Sequence, residues 1–233
     1  MNEILNIQNL SVTFRSKGGT VYALKNICFS LNEGDILALA GESGSGKSTI
    51  ANALVGLVPW DRGGIYELFG ESINPYQKKS FSIVRGKMQM AFQDPYSSLN
   101  PRNTVSEIVA APLLAKGISK GEAAEKARRM LGLVGLSNAD VNKFPHAFSG
   151  GQRQRIGLAR ALVLEPRILI CDEITSALDV SVQAQILHLL NDLRKELNLS
   201  LIFISHDIAV MEIIANRILR LQNGEVAHSR LFA

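Results

Sequence analysis

The sequence predicts a single α/β domain with an inserted helical segment. Apolar runs typical of strands buried on both faces, at residues 35–40, 167–173 and 199–205, alternate with stretches whose apolar residues recur at helical spacing. Two segments near the N-terminus alternate imperfectly between apolar and polar residues, as half-buried antiparallel strands do. A chain of 233 residues can bury about 70% of its unfolded surface, which is enough for one core.

Composition and charge narrow the class of protein without fixing its ligand. The 25 Lys and Arg residues against 21 Asp and Glu residues give a net charge of +4, which suits an anionic ligand, a membrane surface or nucleic acid. We see no signal-segment pattern and no apolar stretch near the ~18 residues of a membrane span, so we expect a soluble chain. Cys28 and Cys171 lie in apolar strand-like runs, which predicts two unpaired core thiols in a reducing compartment.

The N-terminal segment is expected to form an antiparallel sheet. The strand pattern over residues 4–14 ends at a turn over residues 15–19, and a second strand pattern follows over residues 22–31. An aromatic side chain near this turn, Phe14 in preference to Tyr22, is able to stack on a purine ring. A place in the core is the plainer interpretation of either ring.

A glycine-rich loop follows the first buried strand and precedes a helical pattern. Its sequence, Gly41-Glu42-Ser43-Gly44-Ser45-Gly46-Lys47-Ser48-Thr49, matches G-x-x-x-x-G-K-[ST], in which backbone N–H groups cradle a polyphosphate. Lys47 is expected to reach the β- and γ-phosphates, and Ser48 to ligate Mg²⁺. Thr49 is expected to contact the α-phosphate. The strand, loop and helix together predict a phosphate-binding site.

The middle of the chain combines strands with a helical insertion. Residues 59–70 have the pattern of a turn, a strand and a second turn. A further strand pattern covers residues 88–93 and ends in Gln93, whose amide is able to bind Mg²⁺ or orient a water. A loop with two prolines follows over residues 94–101. Residues 105–134 then place apolar side chains on one helical face, which predicts helices inserted between strands.

A second helix start suited to an anion lies at Ser149-Gly150-Gly151-Gln152. The tetrad fits a capping box, with Ser149 at the N-cap and Gln152 at the third helical position. The glycines leave the N–H groups of the first turn bare, as anion sites require. Within one site this second helix end would be redundant, so it points to a nucleotide held by another subunit. An ordinary cap is the alternative.

Two buried strand patterns have polar residues at their carboxyl ends, which is where ligands bind in open α/β sheets. The first ends in Asp172 and Glu173. We expect Asp172 to hold Mg²⁺ through a water and Glu173 to polarise an attacking water as general base. The second precedes His206, whose imidazole is able to donate to a γ-phosphate oxygen.

The C-terminal elements complete the predicted fold. An amphipathic helix follows Asp179, another helix covers residues 208–216, and a hairpin turns at Asn223-Gly224. Each polar residue at a strand end, taken alone, is also compatible with a helix cap or a surface position. The order in which the motifs occur is what argues for one site.

In that order, the motifs resemble those of the ATP-binding-cassette (ABC) ATPases along essentially the whole chain. The resemblance implies a P-loop NTPase fold with a mixed core sheet, flanking helices, an N-terminal antiparallel β subdomain and an inserted helical subdomain. It implies one domain over residues 1–233, with the core at about 1–95 and 155–233 and the helical subdomain at about 96–154. The implied ligands are ATP and Mg²⁺.

The resemblance also implies roles for the motif residues. In the implied head-to-tail dimer, residues 149–152 of one subunit close over ATP held by Lys47 of the other. Hydrolysis follows by a water aligned through Glu173 and His206. Four further family positions are matched by Phe14 (the adenine-stacking aromatic), Gln93 (the loop reporting to transport domains), Asp179 (the loop crossing the dimer interface) and His206 (the switch histidine).

Within the family, residues 92–101 and 176–185 look like the importers of oligopeptides, dipeptides and nickel. The implied partners are two transmembrane permease subunits, a second ATPase subunit that is either identical or paralogous, and an extracytoplasmic substrate-binding protein. The implied location is the cytoplasmic face of an inner membrane. No nucleic-acid partner is expected.

Some features depart from the family pattern. Phe148 stands where the signature usually has Leu, Ile174 stands where Pro is common, and no function of a tail beyond Ala233 is assumed. An exporter ATPase and a soluble cassette ATPase acting on nucleic acid or ribosomes remain alternatives. A catalytically silent binding module is disfavoured because Glu173 and His206 are both present.

Overall fold

Two β-sheets form the framework of the chain. The computed structural model of the protein describes residues 2–16, 18–94, 99–176 and 178–231. The strands are β1 (Glu3–Ser16), β2 (Gly19–Asn32), β3 (Ile36–Ala40), β4 (Ile65–Leu68), β5 (Glu71–Ser72), β6 (Met88–Ala91), β7 (Ile168–Asp172), β8 (Ser200–Ile204), β9 (Arg217–Gln222) and β10 (Glu225–Leu231). The α-helices are α1 (Lys47–Leu54), α2 (Phe81–Lys87), α3 (Val105–Ala115), α4 (Lys120–Leu133), α5 (Gly150–Leu162), α6 (Val180–Glu196) and α7 (Ile208–Ile214), with 3₁₀ turns at Lys78–Ser80 and Pro145–Ala147.

The larger sheet has six strands in the order β10-β9-β3-β8-β7-β6 and is mixed. β9, β3, β8, β7 and β6 run parallel to one another, and β10 pairs antiparallel with β9 at the edge. Every residue of β3, β7 and β8 is buried. Alternate residues of these strands enter two separate hydrophobic clusters, one on each face of the sheet, which explains their continuous apolar runs.

The smaller sheet is antiparallel, with the order β2-β1-β4-β5, and confirms the expected N-terminal arrangement. Its inner side chains, such as Ile27 and Phe29, pack against α1 and one face of the larger sheet. Both cysteines are free thiols, as predicted, but the placement of Cys28 in the core was wrong. Cys28 is exposed because it alternates with Ile27 and Phe29 and points to the outer face.

The helical insertion forms α3 and α4, which pack on α5. Each helix begins with a side-chain cap; at α3, Thr104 and Glu107 form a complete capping box. The buried positions of α4 are Ala123, Ala127, Met130 and Leu131, which is the apolar face that the sequence pattern predicted. No helix among the described residues is both long and apolar enough to cross a bilayer.

The topology brings the predicted polar residues to one edge of the larger sheet. In the β7–β8 ladder Asp172 pairs with Ile204, so the two strands end at the same level. β3 lies next to β8 and ends at Ala40, immediately before the glycine-rich loop. The carboxyl ends of three adjacent parallel strands therefore carry the loop, the Asp172-Glu173 pair and His206.

Candidate functional site

The glycine-rich loop connects β3 to α1 in a conformation that its glycines make possible. Gly44 and Gly46 have φ values of 80° and 108°, in the left-handed region that other residues rarely adopt. A Cβ atom added at Gly46 would lie 2.7 Å from Leu24 Cδ2 and 3.0 Å from the Ala23 carbonyl oxygen. α1 begins at Lys47, and no side chain caps its N-terminus. No capping side chain therefore accepts from the N–H groups of the first turn, which face the loop opening.

Lys47 lies inside this loop, with only 5% of its surface exposed. Its Nζ donates to the carbonyl oxygens of Gly41 and Glu42, at 2.8 Å each. These bonds hold the ammonium group at the centre of the cradle, where it can exchange a carbonyl for a phosphate oxygen. The loop thus combines a positive charge with a concave surface of backbone donors.

A hydroxyl and a carboxylate lie next to the lysine. Ser48 Oγ donates to Asp172 Oδ1 at 3.1 Å. Burial raises the pKa of Asp172, and the negative charge of Glu173 adds to the increase, while the Ser48 hydrogen bond and Lys47 oppose it. A hydroxyl and a carboxylate at this distance are hard oxygen ligands that fit Mg²⁺. A cation there would offset the cost of ionising the buried Asp172.

Glu173 lies at the centre of a second polar group. Gln93 Nε2 donates to Glu173 Oε2 at 3.1 Å, and His206 Nδ1 lies 3.9 Å from the same oxygen. The backbone of Glu173 has a φ of 48°, and its N–H donates to the Ile204 carbonyl at 3.0 Å, which fixes the direction in which the carboxylate leaves β7. Gln93 and Glu173 share the lining of a cavity of ≈ 260 Å³ with the loop residues Ser43, Gly44 and Gly46–Thr49.

The β9–β10 hairpin supports the glycine-rich loop from behind, which sequence reasoning did not anticipate. Gly224 N donates to the Ser45 carbonyl at 3.2 Å, and Lys25 N donates to the Gly224 carbonyl at 2.8 Å. A Cβ atom added at Gly41 would lie 2.5 Å from the Leu221 carbonyl oxygen. The sequence predicted the Asn-Gly turn itself, but no pattern in it indicates that the turn packs against this loop.

The remaining predicted site residues lie outside the cavity. Among the described residues, those that line it include neither Phe14 nor Asp179 nor the tip of α5 at Ser149–Gln152. The tip has its predicted capping box: Ser149 Oγ accepts from Gln152 N at 3.3 Å, and Gln152 Oε1 accepts from Ser149 N at 3.0 Å. Phe14 is 45% exposed near the end of β1.

Asp179 is the N-cap of α6. Its Oδ1 accepts hydrogen bonds from the Ser181 hydroxyl at 2.7 Å and from Val182 N at 2.9 Å. These bonds lower the pKa of the Asp179 carboxyl because they stabilise its ionised form. The cap fixes the direction in which the chain enters α6.

A wider cleft opens beside the cavity. Its volume is ≈ 640 Å³, and its lining runs from Ser48 and Asp172 past Gln93 to Pro112 of α3 and Arg160 of α5. The cleft thus extends from the candidate metal ligands Ser48 and Asp172 to the helical insertion. Residues 95–98 of the proline-containing loop lie outside the described residues.

Comparison with known proteins places the chain in a family. The sequence profile of the ABC transporter family matches residues 24–176. The chain belongs to the ABC transporter family. The match confirms the resemblance inferred from the motifs, and it includes the glycine-rich loop, Gln93, the α5 tip and the Asp172-Glu173 pair.

Similar ABC proteins include two oligopeptide transport ATP-binding proteins named OppF. The protein from Haemophilus influenzae is 47% identical over 220 residues, and the one from Escherichia coli is 45% identical over 232 residues. The alignments cover 94% and 95% of this chain, but 66% and 69% of the relatives' own lengths. The chain thus spans about two thirds of the length of these relatives.

Solved structures confirm the fold class. The ATP-binding cassette MJ0796, in a dimeric post-hydrolysis state bound to ADP and Pi, matches with a TM-score of 0.87 at 31% identity over 99% of both chains. CbiO1 from Clostridium perfringens, part of the CbiONQ transporter complex, matches with a TM-score of 0.86 over 98% of this chain and 88% of that one. The mixed sheet with flanking helices is therefore that of an ABC ATPase.

Proposed function

We propose that this chain is the ATP-hydrolysing subunit of an importer that takes up peptides. The observation that carries the proposal is the position of Glu173, which lines the same cavity as Lys47 and Ser48 and accepts a hydrogen bond from Gln93. A carboxylate beside a phosphate cradle suits hydrolysis, because it can take a proton from water next to the γ-phosphate. A site for binding alone has no need of that carboxylate.

Each residue then has a defined task in hydrolysis. The loop N–H groups and Lys47 would bind the β- and γ-phosphates, while Ser48 and Asp172 would hold Mg²⁺. The chemistry that Mg²⁺ would supply when bound is neutralisation of phosphate charge. Glu173 accepts the proton of the attacking water.

Gln93 and His206 assist that step. Gln93 orients Glu173 through its 3.1 Å hydrogen bond, and its amide oxygen is a candidate ligand for Mg²⁺. His206, 63% exposed and 3.9 Å from Glu173, is free to turn its imidazole toward a γ-phosphate oxygen.

The α5 tip is proposed to act on a second subunit. The N–H groups of Gly150 and Gly151, which take no part in the capping box, form an anion site away from the cavity of their own chain, so they suit a nucleotide bound by Lys47 of a partner. In the same arrangement Asp179 crosses the interface and Phe14 stacks on the adenine. The division into a core, residues 1–95 and 155–233, and a helical subdomain, residues 96–154, belongs to this proposal.

The transported substrate and the partners are inferred from the relatives. Both OppF proteins carry the name oligopeptide transport, which favours peptides over nickel for this chain. The proposed partners are two permease subunits, a second ATPase subunit and an extracytoplasmic substrate-binding protein. The chain would work at the cytoplasmic face of an inner membrane, with the cleft beside Gln93 and Arg160 as the surface facing the permease.

Hydrolysis and partner recovery test the proposal. We expect Mg²⁺-dependent ATP hydrolysis by the wild-type chain, and at least about tenfold weaker nucleotide binding in Lys47→Ala, which loses a charge-assisted bond. We expect membrane-spanning subunits to co-purify with the chain from detergent-solubilised membranes. Recovery with RNA alone, or nucleotide binding unchanged in Lys47→Ala, would overturn the proposal.

A further inference from the structure

A glycine on α5 faces a valine on α6 across a very short gap. A Cβ atom added at Gly151 would lie 2.5 Å from Val182 Cγ1, and the next contacts with that side chain are 3.8 Å to Cβ and 4.0 Å to Cγ2. The shortest distance is about 1 Å below ordinary van der Waals contact, which begins near 3.4 Å. One methyl group of Val182 thus fills the space that a side chain at position 151 would need.

Backbone conformation does not account for this glycine. Gly151 lies within α5 and is not among the described residues with a positive φ. Alanine is favoured over glycine in such a helical position, because glycine loses more backbone entropy on folding. Gly157, on the same helix, has no atom within 4 Å of an added Cβ, so no neighbour there demands a glycine. At Gly151, by contrast, the Val182 side chain leaves no room for a Cβ atom.

Val182 is itself fixed by the Asp179 cap. Its N–H donates to Asp179 Oδ1 at 2.9 Å, and its side chain packs against the hydrophobic cluster below. Leu178, on the other side of the cap, lies 3.8 Å from a Cβ added at Gly150. Leu178, just before the Asp179 cap, and Val182, in the first turn of α6, therefore lie next to two successive glycines in the first turn of α5.

We propose that Val182 is a positioning residue that locks the α5 tip to the Asp179 loop of the same chain. The lock keeps Ser149–Gln152 and Asp179 at a fixed separation, so that both reach the partner subunit together. This role rests on the proposed function, in which the tip acts on a nucleotide bound by the partner. This role of Val182 differs from a direct contact between Gly151 and the phosphate, because the steric constraint on position 151 comes from a side chain of the same subunit.

A suppressor pair tests the lock. Gly151→Ala forces the tip and α6 about 1 Å apart, and we expect kcat for ATP hydrolysis to fall about 10²-fold, with the affinity of the chain for Mg²⁺-ATP within about twofold of wild type. Val182→Ala removes the methyl group that fills the space beside Gly151, and we expect kcat to fall about threefold or more. In the double variant the added Cβ meets only the Cβ at position 182, at 3.8 Å, so kcat should return to that of Val182→Ala.

Two controls separate the lock from general damage. Gly157→Ala, which adds a Cβ atom in open space on the same helix, should retain kcat within about twofold. A double-mutant cycle on the urea unfolding midpoint, which needs no ATPase activity, should show the same mutual compensation between positions 151 and 182.

The possible outcomes are distinct. A double variant as inactive as Gly151→Ala, or wild-type kcat in either Gly151→Ala or Val182→Ala, overturns the lock while the proposed function stands. If the wild-type chain does not hydrolyse ATP, the proposed function fails, and the unfolding cycle still decides whether the two positions are sterically coupled. Compensation in both kcat and the unfolding midpoint supports the lock.

Discussion

The substitution Glu173→Gln separates catalysis from nucleotide binding. Glutamine has the shape of glutamate, and its Oε1 can still accept the hydrogen bond that Gln93 donates at 3.1 Å. It cannot take a proton from water, so only the general-base contribution is lost, which is about 10²–10⁴-fold in rate. That factor corresponds to about 3–5.5 kcal/mol of transition-state stabilisation at about 1.4 kcal/mol per decade.

The assay compares turnover with affinity. Steady-state phosphate release should give kcat lower by that factor in Glu173→Gln, while titration with a fluorescent ATP analogue should give an unchanged Kd, because the proposed phosphate ligands are Lys47 and the loop N–H groups, not Glu173. Lys47→Ala is the matched control, in which Kd itself should rise. Turnover of Glu173→Gln close to wild type would refute the assignment of the base, and a parallel loss of affinity would show that the carboxylate also binds the nucleotide.

Three further predictions concern stability. Tyr66→Phe leaves the buried carbonyl of Leu54 without the hydroxyl that donates to it at 2.9 Å, so the free energy of unfolding should fall by about 1–3 kcal/mol in urea titrations. Burial raises the pKa of Asp172, so above that pKa the ionised carboxylate lowers the stability of the folded state. Asp172→Asn should therefore raise the melting temperature measured without Mg²⁺ at neutral pH. The same substitution should abolish Mg²⁺-dependent ATP hydrolysis. The pKa of Asp140 is lowered because Lys143 donates a hydrogen bond to its carboxylate. Asp140→Asn should therefore lower the melting temperature at neutral pH. Below the pKa of Asp140 in the folded state the wild-type carboxyl is also neutral, so there the substitution should leave the melting temperature unchanged.

Local patterns predicted most of the fold. The buried strands β3, β7 and β8 were visible as continuous apolar runs, and the α5 start was visible as a capping box, because each signal lies within a few consecutive residues. The N-terminal antiparallel sheet was also predicted, but the exposure of Cys28 was not. A short apolar run does not say which of its alternate residues faces outward.

α2 was missed for a different reason. Its seven residues include Gly86, and its start at Ser80 has no side-chain cap hydrogen bond, so neither periodicity nor a cap signalled it. Packing supplies the missing stabilisation: Phe81 and Val84 are buried, and the Phe81 ring meets Tyr66 edge to face at 6.3 Å.

The residues that line the cavity were all named from the sequence as candidates, but their supporting contacts were not. The sequence order placed Lys47, Asp172 and His206 at strand ends, and parallel topology then brings such ends to one edge. The support of Ser45 by Gly224 joins residues that are far apart in the chain. Such contacts depend on the complete fold and have no local signature.

The most direct test of the account is the structure of the assembled ATPase pair with Mg²⁺ and ATP, trapped with Glu173→Gln. The account predicts that Ser149 and the glycines of the α5 tip of one subunit lie within hydrogen-bonding distance of the γ-phosphate held by Lys47 of the other. A closed complex in which that tip faces solvent, remote from any phosphate, would contradict it.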